Sequence, residues 1–234
     1  MIYIISDLHG YPHQKFLDLL KKAGFSDHDF LYILGDVIDR NGDGGVETLE
    51  WLMYQTNVQL IMGNHEAALL GCSFVLDEIK DDFEEKLTEE KFDMLQRYIT
   101  DGGDITLKAL QKLSKETQED IMDYLLDCPY YETLCINSQE IILVHSGFEN
   151  FSPSKHIEDY DPTDLLWARP DLNTRYYPKI LTILGHTPTF LFGEEYRGKI
   201  IKTDTWIDID VGAGLETEPV LLRLDDMREF RPGE

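Results

Sequence analysis

Residues 30–40 read FLYILGDVIDR: five apolar residues, then Gly35, then Asp36 and Asp39. The run is too short for a buried helix and suits a pleated interior, which predicts a buried strand over 30–34. The same design recurs on both sides. IYII (2–5) leads to Asp7 and His9, and VQLIM (58–62) leads through Gly63 to Asn64 and His65. Between them lie helical spacings: Phe16, Leu17, Leu19, Leu20 and Ala23, then Val46, Leu49, Trp51 and Leu52. Strands alternating with helices predict a parallel sheet covered by helices. Further on, IILV (141–144) ends at His145, and ILTIL (180–184) ends, through Gly185, at His186. Open α/β sheets bind ligands beyond the carboxyl ends of their strands. Five strands would therefore deliver Asp7, His9, Asp36, Asn64, His145 and His186 to one edge. Gly35, Gly63 and Gly185 each precede one of these residues, where close backbone approach is useful.

The chain has 234 residues, read as one domain over 1–234 and long enough to bury a core without disulfides. Its 45 acidic and 21 basic residues give a net charge of −24. No cluster of Lys and Arg tracks a phosphate backbone, which argues against a nucleic-acid polymer as partner. No apolar run approaches the roughly 18 residues of a membrane span. The N-terminal apolar run is too short for a signal peptide, so the expected location is the cytoplasm. The charge offers no long-range attraction to an anionic substrate, so phosphate chemistry would need local cations, bound metals above all. Cys72, Cys128 and Cys135 form no CxxC pair and are expected to be buried thiols. The sequon at Asn150 is read as accidental.

Residues 72–127 depart from the alternation. Helical spacing at Phe83, Leu87, Phe92 and Leu95, then at Leu107, Leu110 and Leu113, predicts a helical insertion. Nine acids against three lysines over 77–93 predict a solvated helix face. Strands are expected again at 130–136, 141–144, 180–184, 199–209 and 219–224, forming a second sheet packed on the first. Gly193 to Lys199 imitates a phosphate loop but lacks the following Ser or Thr and a helix. Of Asp208 and Asp210, one is expected to point outward and Asp210 to support the metal edge.

Taken together, SDLHG (6–10), GDVIDR (35–40), GNHE (63–66), VHSG (144–147), WAR (167–169) and GHTP (185–188) resemble the calcineurin-like metallophosphoesterases. IDVGA (209–213) resembles the family's last strand. The likeness is greatest to the branch of PPP-type serine/threonine phosphatases and the lambda-phage protein phosphatase. It implies an α/β (α+β) four-layer sandwich, two mixed β-sheets flanked by helices. By motif position, Asp7, His9 and Asp36 would hold one divalent metal and Asp36, Asn64, His145 and His186 a second. Nitrogen and oxygen donors without thiolate suit manganese, iron or zinc, with manganese the first expectation. A metal-bridging hydroxide would attack phosphorus directly. His65 would protonate the leaving oxygen, oriented by Asp39, while Arg40, Arg169 and Asn64 bind the phosphoryl oxygens. Asp39 and Arg40 are expected one helical turn beyond Asp36.

The first substrate reading is a phosphate monoester, either a phosphoserine/phosphothreonine protein or a small ester. The alternative is symmetrical hydrolysis of the dinucleoside polyphosphate diadenosine tetraphosphate. An inactive metal-binding scaffold is a third, against which the complete residue set counts. Two departures stand out: Asn41 where the branch carries Gly, and no second histidine after GHT. Phe148, Phe151 and Tyr160 either stack a base or cover the core.

Overall fold

In a computed structural model that describes residues 1–76, 88–215 and 217–233, Ile2–Ile5 (β1) pairs in parallel with Phe30–Ile33 (β2). Strand β2 pairs in turn with Val58–Leu60 (β3), also in parallel. Helix His13–Ala23 (α1) crosses from β1 to β2 and buries Phe16, Leu19, Leu20 and Ala23, one stripe at helical spacing. It stops where Gly24 turns left-handed and its N–H returns to Leu20 and Lys21 carbonyls. Val46–Leu52 (α2) and Asn64–Gly71 (α3) follow β2 and β3. The helices and the first sheet share one apolar core, with Ile5, Phe16, Ile33, Leu49, Leu60 and Leu69 fully enclosed.

The insertion is helical over its described residues from Glu89 on, as expected: Glu89–Tyr98 (α4), a π turn at Ile99–Gly103, Asp104–Leu110 (α5) and Lys115–Leu126 (α6). Thr88 and Ser114 cap α4 and α6 through their hydroxyls. Tyr98, Leu110, Ile121 and Leu125 extend the first core. Phe83, Leu87 and the acidic residues of 77–87 lie outside the described residues. Glu89, Glu90 and Asp93 are exposed, and so is Phe92, at 53%, despite its place in the apolar spacing.

Five strands form the second sheet, in the order Tyr131–Ile136 (β4), Gln139–Val144 (β5), Ile180–Leu184 (β6), Trp206–Asp208 (β8) and Ile201–Lys202 (β7). The expected strand at 199–209 is thus a hairpin. Thr203 makes the turn, its hydroxyl accepting the N–H groups of Thr205 and Trp206. The strand expected at 219–224 does not join this sheet. Leu221–Arg223 (β9) runs antiparallel to β1, and Arg228–Phe230 (β10) closes the first sheet in the order β10-β9-β1-β2-β3. The free edge of β1 requires a partner for its backbone groups, and the chain end supplies it.

The two sheets are mixed and pack face to face. Ile4, Leu34, Ile61, Leu143, Ile183 and Leu222 fill the space between them. The outer face of the second sheet is covered by an aromatic group, Phe148, Tyr160, Tyr176 and Tyr177, carried on loops with short 3-10 turns. Phe148, Phe151 and Tyr160 therefore cover the core. Cys72 and Cys128 are buried, whereas Cys135 is exposed. It alternates along β4 with Leu134 and Ile136, which face the inter-sheet core.

Candidate metal and phosphate site

At the carboxyl edge of both sheets the strand-end loops interlock. Asp7 N–H donates to Gly35 C=O at 3.1 Å, His9 N–H to Asp36 C=O at 2.9 Å, and Gly185 N–H to His145 C=O at 2.7 Å. A side chain at Gly35 would strike Gly63 and the His145 ring, and its φ is +84°. Left-handed backbone also occurs at Asp7, His9, Asp36, Asp39, Arg40 and His186. For residues with a Cβ this costs about 1–2 kcal/mol each. It also overturns the helical turn expected from Asp36 to Arg40. The segment is a non-helical loop with left-handed residues at Asp36, Asp39 and Arg40, and α2 begins only at Val46.

Glu66, at the third position of α3, ties that loop down. It is fully buried and accepts N–H groups from Asp36 (2.8 Å), Val37 (2.8 Å), Ile38 (3.3 Å) and Gly63 (3.1 Å). Glu at the third helical position, reaching back to the N–H of Gly63, is half of a capping box, a signal that could have revealed it.

Asp36 stands at the centre of the edge. Its Oδ1 lies 3.5 Å from His145 Nε2, and its Oδ2 lies 3.7 Å from His9 Nε2 and 3.9 Å from His65 Nε2. Among the described residues, two groups of donor atoms fall within 4.8 Å: His9, Asp36 and His65, and Asp36, His145 and His186. His9 and His145 each donate Nδ1–H to a backbone carbonyl, Ile38 at 3.1 Å and Leu34 at 2.7 Å, which leaves Nε2 as a lone pair facing inward. Burial lowers the pKa of His145 and takes those of His9 and His186 down to about 3 and about 2, so the rings are neutral. Asn64 Oδ1 lies 2.8 Å and His186 Nδ1 3.2 Å from His145 Nε2. Buried lone pairs converging on one another call for a cation, and the donor set fits a divalent ion. Asp7 stands slightly aside: both its oxygens accept the N–H of His186, at 3.2 and 3.0 Å.

His65 donates Nδ1–H to Asp39 Oδ2 at 2.6 Å. Burial alone would lower its pKa, but the charges of Asp36 and Asp39 outweigh it and hold His65 at about 9. The other Asp39 oxygen accepts from Tyr98, at 2.8 Å, and from Thr106. Arg40 reaches His9 Nε2 at 2.9 Å and His65 Nε2 at 3.0 Å. Arg169 is exposed and touches Thr187 at 3.4 Å. Asn41 donates to the carbonyls of His9 and Gly214, so the departure from Gly fastens the loop after IDVGA over His9. Asp208 and Asp210 are both buried, contrary to the expected outward acid. Burial raises both pKa values, that of Asp210 to about 7. A groove of about 660 Å³ opens from Asn64 and His65, lined by Met94, Arg97, Leu166 and Trp167.

A two-sheet sandwich with nitrogen and oxygen donors gathered at one edge is the architecture of a metallophosphoesterase. The chain belongs to the calcineurin-like phosphoesterase family, whose profile matches residues 1–209. It is similar to the symmetrical bis(5'-nucleosyl)-tetraphosphatase of Buchnera aphidicola, 37% identical over 90 residues, 38% of this chain and 31% of the relative. The corresponding protein of Vibrio parahaemolyticus is 35% identical over 81 residues, 34% of this chain and 30% of the relative. The matched stretch thus spans about a third of these relatives. Among solved structures, one provisionally described as a diadenosine tetraphosphatase has a TM-score of 0.58 at 18% identity, covering 98% of this chain and 91% of that one. A Saccharomyces cerevisiae serine/threonine phosphatase similar to human PP5 has a TM-score of 0.54 at 18% identity, covering 88% and 65%. These likenesses carry the fold.

Proposed function

We propose that the chain hydrolyses dinucleoside polyphosphates with two divalent metals, cleaving diadenosine tetraphosphate and water symmetrically to two ADP. The curated relatives favour this alternative over the protein-phosphatase reading, and the observation that carries it is the groove beside His65. It begins where the leaving oxygen would lie, and its Met94, Leu166 and Trp167 side chains suit a nucleoside, beside the charged Glu90, Asp93, Arg97 and Asp101.

Asp7, His9 and Asp36 would hold one ion, and Asp36, Asn64, His145 and His186 the other, with Asp36 between. Asp7 would turn one oxygen from the His186 N–H to do so. Bound divalent ions supply a nucleophile at neutral pH and neutralise phosphoryl charge; manganese is the first choice, iron or zinc the others. Arg40 and Arg169 would orient the phosphoryl oxygens, with Asn64 assisting. His65 would pass its Nε2 proton to the leaving oxygen, since Asp39 holds the opposite ring nitrogen.

The test is a manganese-supplemented panel of diadenosine tetraphosphate, an aryl phosphate and phosphopeptides. ADP as the sole product from the dinucleotide, well above the other rates, is expected. ATP plus AMP, or preference for phosphopeptides, would overturn the reading. The second reading, a serine/threonine phosphatase, is favoured by the pairing of GDVIDR with GNHE. Its mark would be phosphopeptide turnover.

A further inference from the structure

Arg40 lies against two ring nitrogens, His9 Nε2 at 2.9 Å and His65 Nε2 at 3.0 Å, and both have other work in the proposed reaction. A His9 Nε2 that binds an ion and a His65 Nε2 that carries a proton have no lone pair left to accept from a guanidinium. The remaining side-chain partner among the described residues is Asp101, whose Oδ1 lies 3.0 Å from Arg40 Nη2. Asp101 sits in the π turn at Ile99–Gly103, outside every motif that suggested the site.

That turn is shaped around Arg40. Gly102, at φ +98°, turns its carbonyl to accept the Arg40 N–H at 3.1 Å. A Cβ there would press on Arg40 Cα and its backbone nitrogen, at 3.0 and 3.1 Å. Gly103 lies flat on the Tyr98 ring, whose hydroxyl holds Asp39. The backbone of the turn grips the backbone of Arg40, and the carboxylate of the turn grips its guanidinium.

We infer that Asp101 is a positioning residue, which holds Arg40 over the metal edge so that its free N–H groups meet a phosphoryl group. The inference rests on the proposed phosphate-binding role of Arg40. An anion near the site would by itself repel phosphate, so a positioning role and a bare charge effect have opposite signs. Asn at position 101 keeps the Oδ1 acceptor and removes the charge.

The test is calorimetric binding of inorganic phosphate to the manganese-loaded protein. The variants are Arg40→Ala, Asp101→Ala, Asp101→Asn and the Arg40→Ala/Asp101→Ala double. Expected are about 5–10-fold weaker binding for Asp101→Ala, binding within about 2-fold of the parent for Asp101→Asn, and no further weakening when Asp101→Ala is added to Arg40→Ala. Unchanged or tighter binding by Asp101→Ala would overturn the inference, as would equal weakening in both backgrounds, which marks an effect that does not pass through Arg40, such as one on His65, whose Nε2 lies 3.4 Å from Asp101 Oδ2. Unchanged binding by Arg40→Ala alone would instead overturn the role of Arg40 on which the inference rests.

Discussion

Asp39 meets His65 at 2.6 Å through one carboxylate oxygen, while its other oxygen is fixed by Tyr98 and Thr106. The imidazole is thus held from a region more than thirty residues downstream. Both groups are buried, with His65 2% and Asp39 0% exposed, so the pair works at low dielectric, where a misplaced proton is costly.

His65→Asn should lower turnover of an alkyl phosphate about 10²–10⁴-fold while metals remain bound. ADP is a far less basic leaving group than an alkoxide and needs less help from an acid. The same variant should therefore lose at least about tenfold less on diadenosine tetraphosphate. Equal losses on both substrates, measured as kcat, would remove His65 from the acid role.

Asp36→Asn should bind fewer than two metals, because both donor groups share that carboxylate. Elemental analysis after dialysis against manganese checks this. Two ions retained per chain would count against a bridging Asp36.

In the chelated protein the raised pKa of His65 sets a pH dependence. Its folded value, about 9, exceeds the ordinary histidine value of 6.5, so its stabilising contribution is complete below about 6.5 and fades as pH rises through 9. The difference in thermal midpoint between the parent and His65→Gln should shrink over that window. A difference independent of pH would refute the assignment.

Glu66→Ala would leave four buried N–H groups without their acceptor and should cost about 3–5 kcal/mol in denaturant unfolding. Glu66→Gln offers one carbonyl oxygen in place of two and should fall between. A loss below about 1 kcal/mol for the alanine variant would show that the loop is held elsewhere.

The strand ends were legible because each follows an apolar run and carries a polar residue that a turn alone does not explain. Asp36, His145 and His186 could be placed at one edge from spacing and the rule for open sheets. Other features were not readable. Whether Leu221–Arg223 pairs with β1 or with the second sheet depends on which edge is free, a three-dimensional fact that no local pattern records. The irregular loop from Asp36 to Arg40 imitates a helix start, since Asp and Arg at that spacing suit both. Asp101 lies in an insertion that the sequence marks only as helical, and its contact with Arg40 arises from the π turn.

The helical insertion has a consequence for engineering. Segments of this kind invite exchange between relatives as interchangeable specificity cassettes. Here the Tyr98 and Thr106 hydroxyls hold Asp39, and the Gly102 carbonyl holds the backbone of Arg40. A chimera that swaps residues 88–110 would strip Asp39 and Arg40 of these holds even if every strand-end residue were retained. Transplants at this locus therefore need junctions drawn outside those three contacts, or a donor that brings equivalents of them.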